Sequence, residues 1–147
     1  LFGTNPIAFA SPRENQPPLV IDLSLSEVAR GKIMLASQKH EAIPLGWALD
    51  KDGHPTQDAD DALAGSMAPA GGAKGAAMAL MVELLTAGLT GSNYGFQASS
   101  FFNTEGVPPH IAQLLLLLNP AFFSPGYVQH IEQLFAAMLQ QPSVRLP

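Results

Sequence analysis

The sequence contains no cysteine. That excludes a disulfide scaffold, a zinc-thiolate site and a cysteine nucleophile. It fits a reducing compartment, and a cytoplasmic location is the expectation. Charge is scarce, at 13% of residues, and the net value of -5 leaves no basic excess. The seven Lys and Arg residues are scattered without a basic run, so a nucleic-acid partner is not expected. A long hydrophobic run is also missing. Ala76 to Val82 is interrupted by Glu83 and Thr86, whereas a membrane span needs about 20 consecutive apolar residues. The N-terminal "LFGTNPIAFASPR" has neither a basic n-region nor a long h-region. The first residue is Leu, and the expectation is a portion of a longer chain.

What is present is apolar: 47% of 147 residues, enough for one core of ordinary size. "NPIAFASP" and "QPPLVIDLSLS" read as two short strands joined by a polar, proline-rich connection from Arg13 to Pro18. "SEVARGKIMLASQKHE" reads as a helix capped by Ser26, with Glu27 favourably placed in its first turn. Gly31 weakens that helix by about 1 kcal/mol relative to Ala, which suggests that a backbone or ligand comes close there. "PLGWALDKDGHPTQDADDALAG" is turn-rich. Within it, Asp50, Asp52 and Gly53 miss the calcium-loop spacing, so "DKDGHPT" is a tight turn.

A helix from about Lys74 to Gly88 is apolar around most of its circumference and should be covered on several sides. "GSNYGFQASSFFNTEGVPPH" is loop-like, and "IAQLLLLLNP" fits a buried strand or a core helix, the stop at Asn119-Pro120 favouring the strand. "SPGYVQHIEQLFAAMLQQ" is an amphipathic helix, capped by Ser124, with Pro125 in the first turn. Val128, Ile131, Leu134, Phe135 and Met138 share its face.

Chemistry concentrates in "GGAKG", residues 71–75. A helix N-terminus carries about half a positive charge and unbonded N–H groups. Lys74 is therefore badly placed for helix stability alone, and a phosphate there would reverse the sign. The other reading is a glycine turn with a solvated lysine, and both stand at this point. A P-loop is excluded, because Ile33 follows the Gly31-Lys32 pair. The Rossmann fingerprint fails too: Ala70 occupies its first glycine and no acid follows about 20 residues on. The histidines, His40, His54, His110 and His130, are not paired at metal spacing, and no metal is expected. Asp22 ends an apolar strand and is followed by Ser24 and Ser26. It is either a ligand contact or a cap for the next helix.

Together, "LFGTNPIAFA", "VIDLSLSEVARGKI", "GWALDKDGHPT", "GGAKGAAMALMVELLTAGLTG" and the terminal "RLP" resemble the malate/L-lactate dehydrogenase family of the second type, across nearly the whole chain. That group includes L-sulfolactate dehydrogenases, ureidoglycolate dehydrogenase, 2,3-diketo-L-gulonate reductase and Δ1-piperideine-2-carboxylate reductase. The resemblance implies an α/β (α+β) fold with a mixed, largely antiparallel sheet flanked by helices, unlike a Rossmann fold. It implies NAD or NADP as cofactor, a small 2-oxo or 2-hydroxy acid as substrate, and a homodimer.

By the same resemblance, Asp22, Leu23 and Ser24 lie along the cofactor. "GGAKG" stands for a Gly-Gly-His-Lys-Gly loop, which gives Ala73 and Lys74 as further contacts, with Ala73 in place of the histidine. The family's proton-donating histidine belongs to a Ser-x-His-Gly motif. None occurs here, so no catalytic residue is assigned and the chain is expected to be the C-terminal portion of the enzyme. The piperideine reductases carry His-Gly-Asp where this chain has Arg30-Gly31-Lys32. Lys32 cannot take the role of that aspartate, which favours a hydroxy-acid dehydrogenase over a cyclic imine reductase acting on piperideine- or pyrroline-2-carboxylate. Arg30, with Gly31, is a candidate for the substrate carboxylate, which a guanidinium pairs bidentately; its other role is a helix-surface charge. The rival class is a non-catalytic nucleotide-binding fragment.

Overall fold

The computed structural model describes residues 3–102 and 104–147. The chain divides into two compact units. The first contains residues 3–7 and Ser24–Leu114, the second Ala8–Leu23 and Leu115–Pro147.

In the first unit, α1 (Arg30–Lys39) and α2 (Ala59–Ala64) lie in contact, and α2 also touches each strand of a small sheet. The sheet is antiparallel, ordered β4 (Pro55–Thr56), β3 (Ala48–Leu49), β5 (Ser66–Met67). Ala48 pairs with Thr56 on one side and Met67 on the other. A small residue at the centre strand lets Val28, Ile33, Ile43, Ala59 and Ala62 close around it. Ile33 is 0% exposed.

Asp58 caps α2: its Oδ1 accepts from the Asp60 and Asp61 amides at 2.8 and 3.0 Å, and those two acids complement the helix dipole. Local sequence marked this stretch only as turns, yet it holds two strands and a helix. The "DKDGHPT" turn is as expected. Asp50 Oδ1 accepts from the amides of Asp52 and His54, both at 2.9 Å. The His54 amide is the main cause that holds the Asp50 carboxyl below its ordinary value.

The helix α3 (Ala73–Glu83) continues as a π-helical turn, Leu84–Gly88. Met81, Leu84 and Leu89 are exposed along it, against the expectation that neighbours cover this helix on several sides.

β1 (Ile7–Ser11), which belongs to the second unit from Ala8 on, pairs with β2 (Leu19–Leu23), and the second unit holds α4 (Tyr127–Leu139) against the chain that leaves β1. Ser11 Oγ lies 2.9 Å from the Tyr127 hydroxyl. Arg13 forms a two-pronged pair with Glu132, at 2.9 and 2.8 Å, and its guanidinium sits 4.9 Å above the Phe135 ring. Phe135 is the buried residue of α4's apolar face, while Leu134 is exposed.

Four further expectations fail. Ser26 does not cap α1; Ala29 precedes that helix and no side chain caps it. Ser26 instead bridges to Pro69, and its hydroxyl donates to the Val28 carbonyl at 2.8 Å. Glu27 therefore lies outside the first turn. Ser124 does not cap α4 through its side chain either; its carbonyl accepts from the Tyr127 amide at 3.1 Å, forming a turn. Ile111–Leu118 forms no regular element, and Leu117 is 86% exposed. Its leucines call for burial, but the described residues do not cover them.

Candidate functional site

The glycine-lysine loop is shaped by three different backbone needs. Gly71 and Gly72 have φ of 67° and 62°, a region that L side chains rarely enter. Gly75 is buried, and a Cβ there would overlap the Ala70 carbonyl oxygen. The loop thus folds tightly onto the chain just before it. Helix α3 starts from it with no side-chain cap and no acid in its first turn. The first helical bond is Ala76 N–H to Gly72 O, at 3.0 Å. The N–H groups of Ala73, Lys74 and Gly75 therefore lack intrahelical acceptors. Lys74 is exposed and makes no hydrogen bond or ion pair among the described residues.

The segment after β2 lies against this loop. Glu27 N–H donates to Ala68 O at 2.8 Å and Ala70 N–H donates to Leu25 O at 2.9 Å, on either side of the Ser26–Pro69 bridge. On its other side, Leu25 N–H donates to Thr4 O at 2.8 Å. One short extended segment thus joins residues near the N-terminus to the loop. Ser24 opens it, with its hydroxyl 3.1 Å from that of Ser26.

Within the first unit, the fold therefore brings the segment that begins at Ser24 beside the chain that leads to Ala73 and Lys74. Asp22 and Leu23 belong to β2 in the second unit and are exposed. Asp22 is not a helix cap, because α1 begins eight residues later. Arg30 and Gly31 open α1. The Arg30 guanidinium donates to the Leu63 carbonyl at 3.0 Å, which fixes one prong and leaves further N–H donors. Arg30 is therefore not a freely solvated charge. Among the described residues, nothing beyond its chain neighbours and its own helix backbone lies within 4 Å of a Cβ built on Gly31, so of the two approaches expected there, a backbone or a ligand, the backbone is not seen and the space is open.

The histidines are placed apart. His40 ends α1, His54 Nδ1 stands 3.7 Å from Asp50 Oδ2, His110 accepts through its carbonyl from Asn93, and His130 is exposed on α4. Among the described residues no group of His, Asp or Glu could hold a metal ion. None of their helices is long and apolar enough to cross a membrane.

One polar cluster was not legible in advance. Glu83, 7% exposed, accepts from Asn5 Nδ2 at 3.1 Å and from the Gly95 amide at 3.3 Å to each oxygen. Asn5 Nδ2 also donates to the Ala79 carbonyl at 2.9 Å. The available signal was a single acid inside an apolar run, which marks a carboxylate that must find donors in the interior.

A glycine turn, an uncapped helix start and an unpaired lysine come together at residues 71–75 in neither a Rossmann nor a P-loop arrangement; free N–H groups beside an ammonium are able to accept an anion. The chain belongs to the malate/L-lactate dehydrogenase family, which it matches over residues 1–146. It is 67% identical to a (2R)-3-sulfolactate dehydrogenase (NADP(+)) of Chromohalobacter salexigens, covering 100% of this chain and 44% of that protein. It is 43% identical to a Δ1-pyrroline-2-carboxylate reductase of Pseudomonas fluorescens, with 45% of that protein covered. Among solved structures, Δ1-piperideine-2-carboxylate reductase from Pseudomonas syringae superposes with a TM-score of 0.88 at 39% identity, over all of this chain and 45% of that one. Sulfolactate dehydrogenase from Methanocaldococcus jannaschii gives 0.75 at 34%, over 97% of this chain and 41% of that one. The chain thus spans less than half the length of the relatives it matches. The expected α/β (α+β) class, a mixed, largely antiparallel sheet flanked by helices, is present as small sheets and helices and agrees with these neighbours.

Proposed function

We propose that this chain is the C-terminal, binding portion of an NADP-dependent oxidoreductase that interconverts a 2-hydroxy acid and a 2-oxo acid. The observation that carries the reading is the exposed, unpaired Lys74 at the uncapped start of α3, beside the segment that opens at Ser24, in a chain 67% identical to a sulfolactate dehydrogenase. The amides of the loop and the Lys74 ammonium suit a dinucleotide's phosphate oxygens. Ser24 and Ala73, and Asp22 and Leu23, which precede Ser24 in the sequence, are the further cofactor contacts that the family resemblance implies. When bound, the nicotinamide supplies or takes the hydride at the C2 position of the acid.

Arg30 holds the substrate carboxylate with the prongs that Leu63 leaves free, and Gly31 admits the substrate close to α1. The proton on the substrate oxygen is exchanged by a group outside these 147 residues. The open apolar side chains of α3 fit a second copy in a homodimer, and the lack of cysteine fits the cytoplasm. A second reading, reduction of a cyclic imine acid, draws support from the superposition on the piperideine reductase.

The test follows reduced-cofactor absorbance with NADPH or NADH against 3-sulfopyruvate, other 2-oxo acids and Δ1-piperideine-2-carboxylate, using the full protein. Preference for a 2-oxo acid with NADPH is the expected result; turnover of the imine alone would establish the second reading. The 147-residue chain by itself is expected to give no turnover above blank.

A further inference from the structure

Glu83 is a buried carboxylate in a helix whose own needs are apolar. Among the described residues no cation faces it; its donors are the Asn5 side-chain amide and the Gly95 backbone. Asn5 is unusual in turn. Its φ is 42°, in the left-handed region, and it is buried. Asparagine tolerates that conformation better than most side chains, and it still carries strain there. A well-packed apolar pair would stabilise a core as well or better. A satisfied polar knot of this kind specifies one arrangement among several.

What it specifies is visible in the connections. Thr4, next to Asn5, accepts from Leu25; Leu25 accepts from Ala70; Ala70 leads through Gly71 and Gly72 into α3; and α3 returns to Asn5 through the Ala79 carbonyl and Glu83. The bonds form a closed ring, and the glycine-lysine loop is one side of it. Asn5 is the residue that closes the ring, and Glu83 holds Asn5 in place. We infer that Asn5 and Glu83 are a positioning pair: they set the loop at Gly71–Gly75 for the dinucleotide without touching it. This rests on the cofactor reading of the loop given above.

Two variants keep the fold as far as possible. Asn5→Gly permits the same positive φ and removes only the side-chain tie. Glu83→Gln keeps the shape but removes the charge that strengthens the Asn5 bond, and sets an N–H donor against either the Asn5 side-chain amide or the Gly95 amide. In the full protein, each should weaken NADPH binding about tenfold, within the usual range of coupling between sites. KM for NADPH should rise more than kcat falls. Without cofactor, amide hydrogen exchange at Leu25, Ala70, Gly72 and Ala76, whose N–H groups are bonded in the ring and the loop, should quicken in both variants while the α1 and α2 core exchanges as before.

Lys74→Ala, titrated in parallel, separates the two layers of the argument. Faster exchange in the Asn5 and Glu83 variants alone, with NADPH binding weakened in all three, supports the positioning pair. Unchanged exchange in the loop, or NADPH affinity within twofold of wild type despite a lower Tm, overturns it, since that is what a purely structural knot would give. Faster exchange with affinity unchanged in all three variants, Lys74→Ala included, overturns the cofactor reading of the loop and with it the pair's role for the dinucleotide. Should Asn5→Gly not accumulate as folded protein, the near-isosteric Glu83→Gln decides the question on the same readouts.

Discussion

Gly75 and Ala70 touch backbone to backbone, so that a Cβ on residue 75 would overlap the Ala70 carbonyl oxygen. This contact, more than the left-handed turn before it, is what compacts the loop. Gly75→Ala must push Ala70 away, and Ala70 is the residue that pairs with Leu25. The variant should lose about 1–3 kcal/mol of stability, the usual penalty for overpacking. Differential scanning calorimetry and an NADPH titration should both register the change, with a lower Tm and a higher Kd.

Gly31 should behave in the opposite way. It is helical, its φ is not positive, and a Cβ there meets nothing within 4 Å. Gly31→Ala should therefore stabilise α1 by up to about 1 kcal/mol. If the open space receives substrate, the same methyl group should raise KM for the 2-oxo acid. Denaturant unfolding and steady-state kinetics on one preparation would reveal the trade, and a more stable variant with unchanged KM would place the substrate elsewhere.

The Arg13–Glu132 pair gives a pH dependence with a definite sign. The hydrogen bond from Arg13 is the main cause that lowers the Glu132 carboxyl from its ordinary 4.5. Between the folded and unfolded values the unfolded state binds more protons, so stability rises with pH there. The contribution is fully present above the unfolded value and is lost as pH falls through the folded one. Glu132→Gln should flatten the decline in stability between about pH 5 and about pH 3 relative to wild type. Asp50, also lowered, leaves a residual slope of the same sign. Urea midpoints measured across that range supply the comparison.

Many large apolar side chains of the described residues are exposed, several of them close together in the sequence, and clustered apolar exposure promotes association. Met81, Leu84 and Leu89 are exposed on the α3 region, and Leu115, Leu116 and Leu117 are exposed in the second unit. The chain alone should self-associate with rising concentration and bind a hydrophobic dye such as ANS. A monodisperse monomer by sedimentation velocity, with a sharp thermal transition, would contradict this.

Patterns carried by neighbouring residues were legible in the sequence: the two strands before Ser24, the long apolar helix from residue 73, the acid turn at Asp50 and the amphipathic α4. Those set by distant partners were not. Ser26 reads as a helix cap until Pro69 arrives beside it and draws it into a backbone bridge. The short strands β3, β4 and β5 have two residues each and no periodicity to detect; they exist because Ala48 is buried between two partners. The leucines at 114–118 signal burial without saying what covers them. In the site, Lys74 stood out by being wrongly placed for helix stability alone, whereas Asn5 and Glu83 depend on residues more than 70 positions apart.

The central claim is that Lys74 holds a dinucleotide phosphate, and a titration of NADPH into wild type and Lys74→Ala full protein at two ionic strengths tests it most directly. A cation at a helix start opposes the dipole by about 0.3–1 kcal/mol, so without cofactor the variant should melt at the same temperature or higher. Its NADPH binding should weaken by about 1–3 kcal/mol, the worth of a charge-assisted hydrogen bond. The difference should shrink at high salt because Lys74 is exposed. Equal affinity for NADPH in the two proteins at low salt would contradict the account and leave a glycine turn with a solvated lysine.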